Sequence, residues 1–236
     1  MTGFSAGGVA SSAVFYQARR TLNPTKAYLI NDSGPIFPAP NATYNSRPLH
    51  DLIKSQWNLQ SLYSQLPASF NTNDFGSINA MVATEFPNDR LAYVGYSRRL
   101  QLLALLLRAV LPGITKAQVL TKWRADQTNL INQIKNYANY SYHVPWERPI
   151  NDSHCVSIIT FIGSHACPTV RKKYWYEIPI GQTWCPSGNV PFDQFLSKFI
   201  TNNQQVRTVE PENYYNDEDA GMQIVAPLIN DAIAGN

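Results

Sequence analysis

The first eight residues, Met1-Thr2-Gly3-Phe4-Ser5-Ala6-Gly7-Gly8, constrain this chain more than any other stretch. Gly3-x-Ser5-x-Gly7 is the spacing of a nucleophile elbow, a sharp strand-to-helix turn that exposes a serine hydroxyl above a sheet. Such a turn presses backbone against backbone. The positions two before and two after the serine are therefore expected to tolerate little or no side chain, and glycine also reaches strained angles cheaply. The residues that follow agree with a helix. Val9, Ala13, Tyr16 and Gln17 fall at helical spacing, and the stretch ends in Arg19-Arg20, cations that favour a helix C-terminus.

Downstream, helix and strand signals alternate. Thr21 to Pro24 breaks the first helix, and residues 26–30 read as a short buried strand, so strand, helix and strand make a parallel unit. Residues 35–40, with prolines at 35, 38 and 40, are expected to be irregular surface. Arg47-Pro48 opens a helix to about Leu59, Asp74 caps another that ends at Phe86, and residues 90–96 (RLAYVGY) read as a central strand. The apolar run 100–111 is too short to span a bilayer and reads as a buried core helix rather than a lipid-facing lid. Thr115 precedes a long amphipathic helix, from Lys116 to about Tyr137, with Val119, Trp123, Leu130 and Ile134 on its apolar face. Residues 140–144 are a candidate strand, and 156–161 a strand or the first turn of a helix, which period alone does not decide. A turn-rich loop covers 181–189, a helix over 191–200 puts Phe192, Phe195, Leu196 and Phe199 on one side, and 210–219 is acidic and expected to be solvated. The sum is an α/β fold, a mostly parallel sheet flanked by helices, in a single domain over 1–236.

Composition narrows the class. With 15% charged and 12% aromatic residues the chain is globular rather than disordered, and a net charge of +3 with dispersed basic residues argues against nucleic acid. Four N-x-S/T triplets, at Asn31, Asn41, Asn139 and Asn151, favour an extracellular, glycosylated protein, although no stretch resembles a signal peptide. The three cysteines point the same way, with Cys167 and Cys185 expected to pair across a short loop; the alternative is three reduced thiols in a cytosolic protein.

A serine nucleophile needs a base to take its proton and a third group to orient that base. Of the four histidines, His50 falls on a helix and His143 on a strand, whereas His154 and His165 lie in or beside late loops. The order of such folds places the base late. His154, after the polar Asn151-Asp152-Ser153 and before an apolar segment, is favoured; His165 is the second candidate, and both can also be surface histidines.

GFSAGG at the elbow, LINDSGP at 29–35, the helix and strand from Asp74 to Tyr96, and Ser153-His154-Cys155 together resemble the pectinacetylesterase-like hydrolases, the group that also holds the Notum carboxylesterases. LINDSGP is closer to the secreted bacterial and eukaryotic esterases than to the plant enzymes. The resemblance implies an α/β-hydrolase fold and cleavage of acyl esters, acetyl groups on polysaccharide among them, with no metal or cofactor. It implies Ser5 as nucleophile, His154 as base and the Ala6 N–H as an oxyanion donor. In that plan several strands and an oxyanion loop precede the serine, so the chain is expected to be the C-terminal part of such a domain, its N-terminal strands missing. One departure concerns the acid. Where the family places an aspartate after the strand at 90–96, this chain reads Ser97-Arg98-Arg99. Asp32, at the end of the neighbouring strand, is the candidate replacement; its alternative is a turn-forming role before Ser33-Gly34. The missing acid motivates a second reading, a catalytically impaired hydrolase fold that binds glycan or protein. The apolar run at 100–111 motivates a weaker third, a lipase. The expected partner is an acylated carbohydrate or other small ester, with no nucleic acid and no membrane span.

Overall fold

In the computed structural model, residues 1–97, 113–146, 155–157, 164, 166–168, 188 and 190–211 are described. Five strands, β1 (Thr2–Phe4), β2 (Tyr28–Asp32), β3 (Arg90–Val94), β4 (Tyr140–Val144) and β5 (Arg207–Val209), form one parallel sheet in the order of the sequence. The helices are α1 (Ala6–Leu22), α2 (Arg47–Gln56), α3 (Gln60–Tyr63), α4 (Ser77–Glu85), α5 (Lys116–Ile134) and α6 (Phe192–Leu196), the last running into a π-helical turn at Ser197–Thr201.

Alternation along the strands divides the core into two layers. Leu29, Leu91, Tyr93 and Tyr140 face one side, where Phe15 and Tyr16 of α1, Ile78 and Met81 of α4, and Val119, Trp123, Leu130 and Ile134 of α5 cover them. Ala92 and Val94 face the other side and meet Phe192, Phe195 and Phe199, whose rings stack in series at 5.8 and 5.9 Å between centroids. The α/β arrangement expected from the sequence is present, as are the apolar faces read for α5 and for the phenylalanines of α6 and its π-turn. The reading of 116–137 is right in its start. Thr115 Oγ1 accepts from the Gln118 N–H and the Gln118 side chain accepts from the Thr115 N–H, a capping box that satisfies donors otherwise left bare.

Several local readings are corrected. Asp74 does not cap α4, which begins at Ser77 without a side-chain cap; its Oδ1 accepts from the Ala39 and Gly76 N–H groups instead. Residues 37–39, in the proline-rich stretch, are buried rather than surface. Glu210, expected to be solvated, is buried at the end of β5, its Oε2 accepting from the Trp146 N–H at 2.7 Å while its own N–H donates to the Val144 carbonyl. The run at 100–111 lies outside the described residues, and among the described residues no helix is long and apolar enough to cross a membrane.

At the end of the sheet where its strands begin, Asp89 ties α1 to the start of β2. Its Oδ2 accepts from Arg19 Nε at 2.6 Å and its Oδ1 from the Ala27 N–H at 2.9 Å. On α2, His50 is buried with its ring 5.0 Å from that of Phe75, and its Nδ1 has no partner among the described residues. Burial, reinforced by the charge of Arg47, lowers its pKa to about 4.

This depression has a sign. Unfolded, His50 titrates near its ordinary value, so below that pH the unfolded chain takes up a proton that the fold refuses. The stability it contributes is complete above about pH 6.5 and is lost as pH falls through about 4. Relative to a His50→Phe variant, the wild type is expected to lose roughly 2–3 kcal/mol between pH 7 and pH 4.5, read by urea denaturation at both values.

Candidate active site

Ser5 stands between β1 and α1 with φ 56° and ψ −124°, a conformation that residues with a side chain rarely adopt. Three contacts hold it there. Its N–H donates to the Asp32 carbonyl at 2.8 Å, and its own carbonyl accepts from Gly8 and Val9 at 3.0 and 3.2 Å, the first turn of α1. Ser5 is half-buried while Ala6 and Gly7 are exposed, so the hydroxyl sits where α1 begins, at the C-terminal end of the parallel strands. In open parallel sheets this is the end that receives ligands. The 17-residue helix also places its positive dipole end there, with no acidic residue in its first turn to oppose an anion.

The glycines explain why the chain can make this turn, and they correct the sequence reading in one respect. A Cβ at Gly3 would lie 2.2 Å from the Gly7 carbonyl oxygen and 2.5 Å from Ser11 Oγ. At Gly34 it would lie 2.4 Å from both the Ser5 carbonyl oxygen and the Val9 nitrogen, and at Gly8 it would lie 2.5 Å from Asn31 Oδ1. A Cβ at Gly7, by contrast, meets nothing within 4 Å. The second glycine of the motif is not sterically required; Gly8 and Gly34 carry the close approach of α1 to the loop after β2.

That loop is built by LINDSGP. Asn31, buried, donates from Nδ2 to Ser12 Oγ at 2.7 Å and to the Gly34 carbonyl at 2.8 Å, and accepts from the Gly34 N–H at 3.0 Å. Ser33 adopts a left-handed φ of 59° and donates its N–H to the Val94 carbonyl at 2.7 Å. Asp32 is buried, and each of its carboxylate oxygens has two donors. Oδ1 accepts from Ser33 Oγ at 2.8 Å and the Val156 N–H at 3.0 Å; Oδ2 accepts from the Ser157 N–H at 2.9 Å and Ser157 Oγ at 2.5 Å. The structure thus brings Ser5, Asp32 and the segment 155–157 together.

The two histidines with described positions, His50 and His143, are core groups. His143 is buried in β4 with Nε2 2.7 Å from the Ser164 carbonyl oxygen, which requires that Nε2 carry the proton, and its ring packs 5.1 Å from Phe195. His154 and His165 lie outside the described residues, as do Arg98 and Arg99. Ser97 is buried, with its N–H donating to the Pro145 carbonyl at 2.9 Å. Cys155 is a buried thiol; Cys167, also buried, is disulfide-bonded, and Cys185 lies outside the described residues.

Among the four glycosylation triplets, Asn31 and Asn139 are buried, Asn139 donating to the Ala83 and Phe86 carbonyls. Neither amide is open to a glycan in the fold. Asn41 is exposed, its Oδ1 accepting from the Thr43 N–H and Oγ1 at 3.0 and 2.6 Å. Asn151 lies outside the described residues.

Sequence reasoning singled out LINDSGP but missed the parts played by Asn31, Gly34 and Ser157. Asn31 and Gly34 stand three residues apart on the quoted motif, a spacing that suits a side chain closing a turn on itself. Ser157 carried no local signal. Compared with protein-family models, curated proteins and solved structures, the chain matches none.

Gly3→Ala is expected to cost about 2–3 kcal/mol, because its new methyl meets backbone that cannot yield, whereas Gly7→Ala is expected to be neutral or to add about 0.5 kcal/mol of helix propensity. Paired thermal melts of the two variants read the difference. Because the Ser5 Cβ is strained, Ser5→Gly is expected to be more stable than Ser5→Ala by about 1 kcal/mol, although both lack the hydroxyl.

Proposed function

We propose that the chain is a serine carboxylesterase of the α/β-hydrolase type, similar to the pectinacetylesterase-like enzymes, that removes acyl groups, acetyl among them, from a carbohydrate or other small ester. The observation that carries the reading is the conformation of Ser5: a non-glycine residue at φ 56°, held between a parallel strand and a helix N-terminus. Strain of this kind costs of order 1–3 kcal/mol and persists only where the surroundings enforce it, which is why it marks functional positions.

In this reading the Ser5 hydroxyl attacks the ester carbonyl carbon as the His154 imidazole takes its proton. The carbonyl π electrons move to oxygen, and the resulting anion is met by the Ala6 N–H and the positive end of α1. Collapse expels the alcohol, which receives the proton from imidazolium, and leaves an acyl group on Ser5. Water, deprotonated by the same imidazole, repeats the sequence and frees the acid. In the sequence His154 precedes Val156 by two residues. Val156 is hydrogen-bonded to Asp32, which in turn holds Ser5. The residues that follow the proposed base in sequence, 156 and 157, are therefore tied through Asp32 to the nucleophile turn, and this supports the reading. A secreted setting, with the Cys167–Cys185 pair, belongs to the same proposal.

A second reading is a hydrolase-fold protein that binds glycan or protein without turnover. It is favoured by two observations: the acceptor sites of Asp32 are occupied by serine hydroxyl and backbone donors, and Ser97 supplies no carboxylate at the place the family would use. A fluorophosphonate probe separates the two. The esterase reading expects covalent labelling of the full chain at Ser5, lost in Ser5→Ala and slowed by about 10³-fold or more in His154→Ala. A folded protein that takes no label, and hydrolyses no p-nitrophenyl acetate, would leave the binding reading.

A further inference from the structure

We infer that Asp32 and Ser157 form a latch that fixes the segment following His154 against the nucleophile turn, which makes both of them positioning residues. The inference rests on the esterase reading for its catalytic consequence and on hydrogen bonding alone for its physical half. A buried carboxylate is costly unless hydrogen bonds replace its lost water. Asp32 finds four, and three of them come from Val156 and Ser157. An ionised carboxylate has about four acceptor positions, so the set from Ser33, Val156 and Ser157 is complete.

The arrangement fixes orientation as well as position. Consecutive N–H groups of Val156 and Ser157 each bind a different oxygen of one carboxylate, so the peptide between them cannot rotate without losing a bond. The Ser157 hydroxyl adds a contact of 2.5 Å to Oδ2, in the range of strong charge-assisted bonds. The carbonyl of the same Asp32 holds the Ser5 N–H. One residue thus grips the nucleophile turn by its main chain and the segment after His154 by its side chain. Val156 itself is anchored in the apolar layer with Val94, Tyr96 and Phe195. Ser157 is half-exposed, which makes its hydroxyl the outer member of the latch. With its acceptors committed in this way, Asp32 acts through the backbone of 156–157 rather than by holding the imidazole.

The test uses the full chain with two readouts, amide hydrogen exchange at 156–157 and the rate of fluorophosphonate labelling at Ser5 followed from pH 5 to 9. A hydrogen bond to a charged group corresponds to roughly a tenfold effect or more. Ser157→Ala is expected to exchange faster at 156–157 and to label about tenfold more slowly, with a shifted pH profile, while Ser157→Thr, which keeps the hydroxyl, restores both. Asp32→Asn is expected to exceed Ser157→Ala in both effects; should it fail to fold, the serine variants decide alone. Unchanged exchange in Ser157→Ala, or faster exchange with labelling at the wild-type rate and pH profile, overturns the latch. A wild-type chain that never labels counts instead against Ser5 as nucleophile. Exchange then decides the physical half by itself, unchanged protection in the variants overturning it.

Discussion

A single main-chain hydrogen bond, from the Ser5 N–H to the Asp32 carbonyl, ends the pairing of β1 with β2 and starts the helix that follows. Everything around it has to allow the two backbones to approach. Gly3, Gly8 and Gly34 line this approach, and a methyl group on any of them would collide with backbone or with the Asn31 side chain. Asn31 then fills the small space that remains, bonding to Ser12 of α1 and to Gly34 of its own turn. The strained angles of Ser5 are therefore not a local accident. They are imposed by a strand, a helix and a loop that cannot separate without giving up several buried hydrogen bonds.

Polar groups inside this fold fall into two kinds of work. Asp89 and Arg19 join secondary elements at the end of the sheet remote from Ser5. At the other end Asp32 and Asp74, and on α5 Asp126 with Asn45 and Ser46, gather N–H, amide and hydroxyl donors from loops rather than from cations. Burial raises the pKa of Asp74 and Asp126 while the hydrogen bonds they accept pull it back down. Loops without regular backbone pairing are held in place this way, each carboxylate satisfying main-chain donors that no strand or helix reaches.

What the sequence disclosed was periodicity and punctuation. The apolar face of α5, its Thr115 start, the strand at Tyr140–Val144 and the phenylalanines on one side of 191–200 all follow from spacing. The parts that escaped depend on neighbours distant in the chain. Gly7 and Gly8 are indistinguishable in sequence, yet only Gly8 faces the loop after β2. Glu210 reads as the start of an acidic stretch but is drawn inside by its pairing with Val144 and Trp146, and the three-residue β5 before it is too short to alternate visibly. Asn31 and Asn139 satisfy a glycosylation pattern that burial makes irrelevant in the fold. Ser5 and the LINDSGP loop were legible as a unit; that Ser157 closes onto it from 125 residues away was not.

The five described strands lie in the sheet in the order in which they occur along the chain. As a nascent polypeptide leaves the ribosome, each of β2 to β5 finds its partner already laid down by the described strand before it, and none of these four has to be threaded between two that have closed. Each pairing joins described strands that are neighbours along the chain, which avoids the still longer closures that a shuffled order would demand of a sheet already slow to form. The cramped bend at Ser5 belongs to the pairing of β1 with β2, so it can be settled while β3, β4 and β5 are still to be translated.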